Sequence, residues 1–316
     1  MKPTIHDTAQ LTALYGRYRA ELCARDPQLS EFLLRGALQQ VCFAELVQHF
    51  DLVLLDAFGV LYRGKQVIPG APAAVARLYQ QGIPLRVVSN NASQTPQRLQ
   101  QQLQTMGFGF ALAEVWTSGM VIADYLADSP WRGQPYYLVG SAESLLAYAP
   151  EAPHLCVNLR PGEGWREARF LLMCSNRDYY GQKQQFQVEA LLAQQPLPVL
   201  LANPDLVTPD EDGTFSVVAG YTAADWVDRY RCPWVGLGKP FAPLYARVRA
   251  AFPGLDPRRC LMVGDTLDTD ILGGAAQGFA TCLTLSGACA QDAHRLPELC
   301  RERGIFPDFV VPSIGA

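Results

Sequence analysis

A short apolar run, Phe50-Asp51-Leu52-Val53-Leu54-Leu55, stops abruptly at Asp56, and no other feature constrains the fold as much. Four aliphatic residues in a row, with no polar alternation, leave no face for water. The run therefore reads as a strand buried on both sides, as in parallel sheets. Such a strand needs covering helices and partners of its own kind, and the sequence supplies both. Pro69-Gly70 opens a helical stretch from Ala71 to Gln81, closed by Gly82 where a left-handed residue ends a helix. Leu85-Arg86-Val87-Val88 is the next strand and ends at Ser89-Asn90-Asn91. A helix over Thr95 to Met106 stops at Gly107, and Glu114-Val115-Trp116-Thr117 is a third strand. Strands alternating with helices at this spacing specify βαβ units, so the expected class is α/β with a parallel sheet and helices on both faces.

The same pattern returns far downstream. Trp234-Val235-Gly236-Leu237 leads into Gly238-Lys239-Pro240, and a helix from Pro243 to Ala251 follows. Cys260-Leu261-Met262-Val263 is a strand that delivers Gly264-Asp265. Asp270 to Gln277 reads as a helix and Thr281-Cys282-Leu283-Thr284-Leu285 as a further strand. Between the two halves lie shorter strand-like runs at Tyr136–Val139, Ala168–Met173, Val199–Ala202 and Phe215–Val218. They mark an α/β lid inserted into the core. Ahead of everything, Leu11, Leu14, Tyr15, Tyr18, Leu22, Phe32, Leu33, Leu38 and Val41 recur at helical spacing, interrupted by Asp26-Pro27. The 316 residues thus divide into a helical extension (1–48), a core in two pieces (49–130 and 233–316) and an inserted lid (131–232). The extension is expected to pack on the body or on a second copy, the lid offering the other surface for self-association.

Composition narrows the partners. A formal net charge of -4 with no basic run argues against nucleic acid. Met1 to Gln10 is polar and lacks a signal-peptide core, and no stretch approaches the ~20 apolar residues of a membrane helix. A cytoplasmic protein without membrane contact is the expectation. Nine cysteines, an odd count with no C-x-x-C pair, fit neither a disulfide framework nor a zinc site. Cys42, Cys174, Cys260 and Cys282 sit in apolar runs and are expected to be buried thiols.

Asp56, Ser89, Lys239 and Asp265 each stand just past the end of an expected strand. In an open parallel sheet that edge is where ligands bind, so four residues spread over most of the chain would converge. Any one of them alone would be a loop or capping residue.

Taken together, Asp56-Ala57-Phe58-Gly59-Val60-Leu61, Ser89-Asn90-Asn91, Gly238-Lys239-Pro240 and Gly264-Asp265 with Thr269-Asp270 resemble the motifs of haloacid dehalogenase-like hydrolases. The likeness is to the branch with a large α/β cap that includes NagD and pyridoxal phosphatase. Asn203-Pro204-Asp205 is similar to that branch's cap loop. The resemblance spans about residues 50 to 290 and leaves out the helical extension. It implies a Rossmann-like core with an inserted cap, and a Mg²⁺-dependent phosphatase acting on a small phosphorylated metabolite. Asp56 would attack phosphorus and form an aspartyl-phosphate, splitting one hard displacement into two. Carboxylate and phosphate repel, so positive charge is required. Mg²⁺ would be held by Asp56, Asp265 and the backbone carbonyl of Phe58, with Lys239 as the second positive charge. Ser89, Asn90, Asn91 and Lys239 would bind the phosphoryl group, and Asp270 would hold Lys239 or a metal-bound water. Asp268 reads as a solvated loop carboxylate. The cap aromatics Tyr136, Tyr137, Tyr179 and Tyr180 read chiefly as structural.

One position breaks the pattern. The family expects Asp-x-Asp, whose second aspartate protonates the leaving oxygen and then activates water; here that position is Phe58. Its carbonyl remains for the metal, so the loss falls on proton transfer, an effect of ~10²–10⁴ in rate. Three readings stay open. The substrate could be an acyl phosphate whose leaving group needs no proton, or another group such as Asp205 or Tyr62 could be the acid. The third is a catalytically weakened protein that binds a phosphorylated ligand or partner. Retention of Asp56, Lys239 and Asp265 favours a working hydrolase, because drift has no reason to spare three charges. A receiver domain is disfavoured by the lid and by the late position of Asp265. A dinucleotide oxidoreductase would need G-x-G-x-x-G after the first strand, where Asp56-Ala57-Phe58-Gly59 stands.

Overall fold

The computed structural model of the chain describes residues 8–316 except 142, 145–152, 161, 163 and 210–214. The first seven residues of the extension therefore lie outside it. The strands, in chain order, are β1 (Gln39–Gln40), β2 (Leu52–Leu55), β3 (Tyr62–Arg63), β4 (Gln66–Val67), β5 (Leu85–Ser89), β6 (Val115–Thr117), β7 (Tyr136–Val139), β8 (Phe170–Met173), β9 (Val199–Leu201), β10 (Val207–Pro209), β11 (Phe215–Val217), β12 (Trp234–Gly236), β13 (Cys260–Gly264), β14 (Ala280–Thr284) and β15 (Phe309–Val311).

Seven of them form one sheet in the order β1-β15-β14-β13-β2-β5-β6, every neighbouring pair parallel. The interior strand β2 is fully buried, as its four aliphatic residues require. Val53 and Leu55 pack on one face against Leu78, Leu99 and Leu103, from the helices Ala71–Gln80 and Pro96–Thr105. Leu52 and Leu54 pack on the other face with Leu244, Tyr245 and Val248 of the helix Ala242–Ala251. The two faces follow from the two-residue period of a strand.

A second, four-stranded parallel sheet has the order β12-β9-β8-β7. Tyr136 and Leu138 share the cluster that contains Leu52 and Leu54. Tyr137 and Val139 face away, toward the helices Lys183–Leu192 and Ala219–Tyr230. Tyr137 donates to Gln187 Oε1 at 2.7 Å, and Trp226 Nε1 donates to Tyr179 Oη at 3.0 Å, so these aromatics hold the smaller layer together. Two sequence expectations shift here. β12, read as a strand of the core's second piece, pairs instead with β9 of the smaller sheet, just past the expected lid limit of 232. Phe215–Val217 joins neither large sheet and forms a hairpin with β10.

Asp26-Pro27 does split the extension, into α1 (Thr8–Arg25) and α2 (Gln28–Leu33). Both lie on the body. Leu11, Leu14, Tyr15, Tyr18, Leu22, Leu29 and Leu33 are buried in one cluster with Leu272, Leu283 and Leu299. Cys174, Cys260 and Cys282 are buried as expected, but Cys42 is exposed, because its run is the short, water-facing edge beside β1. Among the described residues, no helix is long and apolar enough to cross a membrane.

Candidate active site

Parallel pairing fixes the geometry of the site. Leu55 stands opposite Val263 and β13 runs one residue further, so the two strand ends deliver Asp56 and Asp265 to the same edge. The Asp56 N–H donates to Val263 O at 2.9 Å, which fixes that end of the chain before it turns. Ser89 closes β5 on the adjoining side. Lys239 reaches the same edge from the smaller sheet, three residues beyond β12 and at the cis peptide to Pro240. Its backbone is held by Asn90, whose Oδ1 accepts from Lys239 N at 2.7 Å while its Nδ2 donates to Lys239 O at 2.9 Å. Gly238 leaves room for this, since a Cβ there would overlap the Asn90 amide.

The charges are dense and buried. Lys239 Nζ lies 2.5 Å from Asp56 Oδ1 and 2.7 Å from Asp270 Oδ1. Oxygens of Asp56, Asp265 and Asp270 all lie within 4.8 Å of one another. Asp270 Oδ2 accepts from the N–H groups of Asp265 and Thr266, both at 3.2 Å. Asp265 accepts from Thr266 Oγ1 at 3.2 Å and from the Ala288 N–H at 2.6 Å. Burial pushes the Asp265 carboxyl up to about 7, with the Asp270 charge adding to it. Burial raises Asp56 as well, opposed by Lys239. For Lys239, burial works against the ammonium, yet Asp270 and Asp56 outweigh it and the pKa rises. Three carboxylates face one ammonium, an arrangement short of positive charge whose donors are all oxygen. That is the donor set of a hard divalent cation.

Gly59, at a φ of 85°, and Gly287 press against the Asp265 carboxylate from two sides; a Cβ on either would overlap it. Only glycine allows both the backbone sign and the approach at Gly59.

These residues open into one cavity of about 1070 Å³ between the two sheets. Two family models match the chain, one for haloacid dehalogenase-like hydrolases over residues 53–151 and one described as HAD-hydrolase-like over residues 236–316. Glycerol-3-phosphate phosphatase of Gallus gallus is 32% identical over 288 residues, covering 85% of this chain and 91% of its own. Chronophin of Mus musculus is 30% identical, covering 89% and 95%. The chain belongs to the haloacid dehalogenase-like hydrolase family. Among solved structures, a possible sugar phosphatase of this superfamily from Cytophaga hutchinsonii superposes with a TM-score of 0.75 at 24% identity, covering 89% of this chain and 99% of that one. NagD from E. coli K-12 superposes with a TM-score of 0.64 at 23% identity, covering 84% and 97%. Both share the fold.

Within this haloacid dehalogenase-like frame, Asp56, Phe58, Ser89, Asn91, Asn203, Asp205, Lys239 and Asp265 line the cavity, while Asn90, Pro204 and Asp270 stand behind it. Phe58 is half-buried, its ring edge-on to Tyr62 at 5.6 Å between centroids. Asp205 Oδ1 accepts from Asn90 Nδ2 at 2.8 Å, which ties the cap loop to the lysine loop. Asp268, expected in solvent, is instead buried and paired with Arg303 at 3.2 Å, because the extension and the helix Leu296–Arg303 cover it. None of the four cap tyrosines named from the sequence lines the cavity. Sequence reasoning passed over Gly287 and the Ala288 N–H. Ser286-Gly287 lies just beyond β14, so the strand-end rule that selected Ser89 selects this loop too.

Proposed function

We propose that this protein is a Mg²⁺-dependent phosphatase that hydrolyses a small phosphorylated metabolite through an aspartyl-phosphate on Asp56. The observation that carries the reading is the buried cluster of three carboxylates and one ammonium, opening into a cavity at the shared edge of two sheets. The name of one relative, glycerol-3-phosphate phosphatase, supports phosphate-ester chemistry.

Asp56, Asp265 and the backbone carbonyl of Phe58 would hold Mg²⁺, which when bound supplies the positive charge that three clustered carboxylates lack. Lys239 holds the Asp56 carboxylate in place at 2.5 Å and presents its ammonium to the incoming phosphoryl oxygens. Asp270 fixes Lys239 from behind. Ser89 Oγ accepts from the Asn91 N–H at 3.2 Å, which leaves its own proton to donate to a phosphoryl oxygen. An Asp56 oxygen then attacks phosphorus opposite the leaving oxygen, and water later releases phosphate.

The test is a hydrolysis screen of the purified protein with Mg²⁺, over phosphomonoesters including glycerol 3-phosphate and over acyl phosphates. Turnover should disappear with chelator and in an Asp56→Asn variant. Silence across the whole panel, or full activity in Asp56→Asn, would overturn the proposal.

A further inference from the structure

The helical extension lies outside the family motifs, yet α1 reaches the cavity, with Leu11, Thr12 and Tyr15 in its wall. Its two buried tyrosines grip the cap loop on either side of Asp205. Tyr18 Oη donates to Pro204 O at 2.7 Å, and the Leu206 N–H donates to Tyr15 Oη at 3.3 Å. The Tyr18 ring also packs on Trp234 and Phe241, which flank the Lys239 loop in sequence, at centroid distances of 5.7 and 5.2 Å. Arg17 pairs with Asp228 of the smaller layer through both guanidinium nitrogens, at 2.7 and 2.9 Å. Arg303, over the Tyr15 ring, ties the same helix to Asp268 of the larger layer. An extension bound to both layers and to the backbone around one carboxylate is placed to fix that carboxylate.

We infer that Asp205 is the general acid and base that Phe58 cannot be, and that Tyr15 and Tyr18 of the N-terminal helix are the positioning residues that hold it at the phosphoryl site. The inference rests on the reading of Asp56 as nucleophile. In the first step an Asp56 oxygen bonds to phosphorus. The bond from phosphorus to the leaving oxygen breaks with its electron pair, and that oxygen takes the Asp205 proton and departs as an alcohol. In the second step water attacks phosphorus and gives its proton to the Asp205 carboxylate. The bond from phosphorus to Asp56 breaks, restoring both carboxyl groups and releasing phosphate. Leaving oxygen and attacking water both occupy the side away from Asp56, so one group can serve both steps. Asp205 enters from the smaller sheet into the cavity that holds Asp56.

Burial pushes the Asp205 carboxyl up to about 6, against the opposing pull of Lys239 and the Asn90 amide. The other groups facing it are Asp270, which adds to the rise, and the neutral phenols of Tyr15 and Tyr18, themselves raised by burial. A bound phosphate dianion raises it further. An acid must carry its proton, so kcat on alkyl phosphates should fall as pH rises through this group's pKa.

The experiment compares glycerol 3-phosphate, whose alkoxide needs a proton, with acetyl phosphate, whose carboxylate does not. Asp205→Asn should lose ~10²–10⁴-fold in kcat on the ester, far less on acetyl phosphate, and the basic pH limb should vanish. Tyr18→Phe, nearly isosteric, should show the same selective loss at smaller size, in kcat rather than KM. Phe58→Asp should restore ester turnover to Asp205→Asn. An equal loss on both substrates, a change confined to KM, or an unaltered pH limb would overturn the inference. If Asp56→Asn keeps its activity, the nucleophile reading fails instead, so the two failures are distinguishable. Ala20→Trp, on an exposed turn of the same helix away from the cavity, serves as the control and should change neither ratio.

Discussion

Replacing Lys239 by Met keeps most of the stem volume and removes only the ammonium, so it isolates the charge. The side chain is 2% exposed and touches two carboxylates, at 2.5 and 2.7 Å. Removing one partner of a buried pair costs ~3–5 kcal/mol, because the remaining charge is left in a poor solvent. Here the remainder is Asp56 and Asp270, with Asp265 beside them, so the upper part of that range applies. At roughly 2 °C per kcal/mol for a chain of this size, the melting temperature should drop by about 8–10 °C in chelator. Saturating Mg²⁺ should return part of the loss, since it supplies charge to the same cluster. Turnover should fall by ~10²–10³, the usual effect of losing a preorganised electrostatic contact to the transition state. Thermal unfolding with and without Mg²⁺, and kcat on an ester, measure both. A Met variant melting within about 1 °C of the parent, or retaining more than about a tenth of its kcat, would refute the reasoning.

Two further outcomes follow from particular contacts. Phe58→Asp in the otherwise unchanged chain should change kcat on alkyl phosphates little, because Asp205 already supplies the proton, and should cost stability through the lost edge contact with Tyr62; steady-state kinetics and a urea melt report each part. Gly287→Ala should cost ~1–3 kcal/mol by overpacking and weaken the stabilisation that Mg²⁺ gives, because the added methyl displaces the Asp265 carboxylate and presses on Gly59; a Mg²⁺ titration followed by thermal shift checks it.

Much of the convergence at the sheet edge was legible in the sequence. The aliphatic run Leu52–Leu55 could only be a strand buried on both faces, and a residue just past its end had to stand at a ligand-binding edge. That logic reached Asp56, Ser89 and Asp265 from local pattern alone, and found Lys239 although its strand belongs to the other sheet. It failed for β15, a three-residue strand, and for β12, because pairing partners are non-local and a short apolar run does not name its neighbour. Asp268 looked like a loop acid because burial by α1 and by the helix Leu296–Arg303 leaves no mark in the adjacent sequence.

What the sequence determines by itself is the α/β alternation and the strand ends that carry the charged residues. Both depend on the period and chemistry of neighbouring residues. Only the tertiary structure decides that Lys239 sits between Asp56 and Asp270, and that Tyr15 and Tyr18 grip the loop around Asp205 from nearly two hundred residues away. The helical period of α1 shows that Leu11, Tyr15 and Tyr18 share a face, but not what that face meets. The meeting is set by how two sheets and one helix close on a single cavity, which no local run of residues encodes.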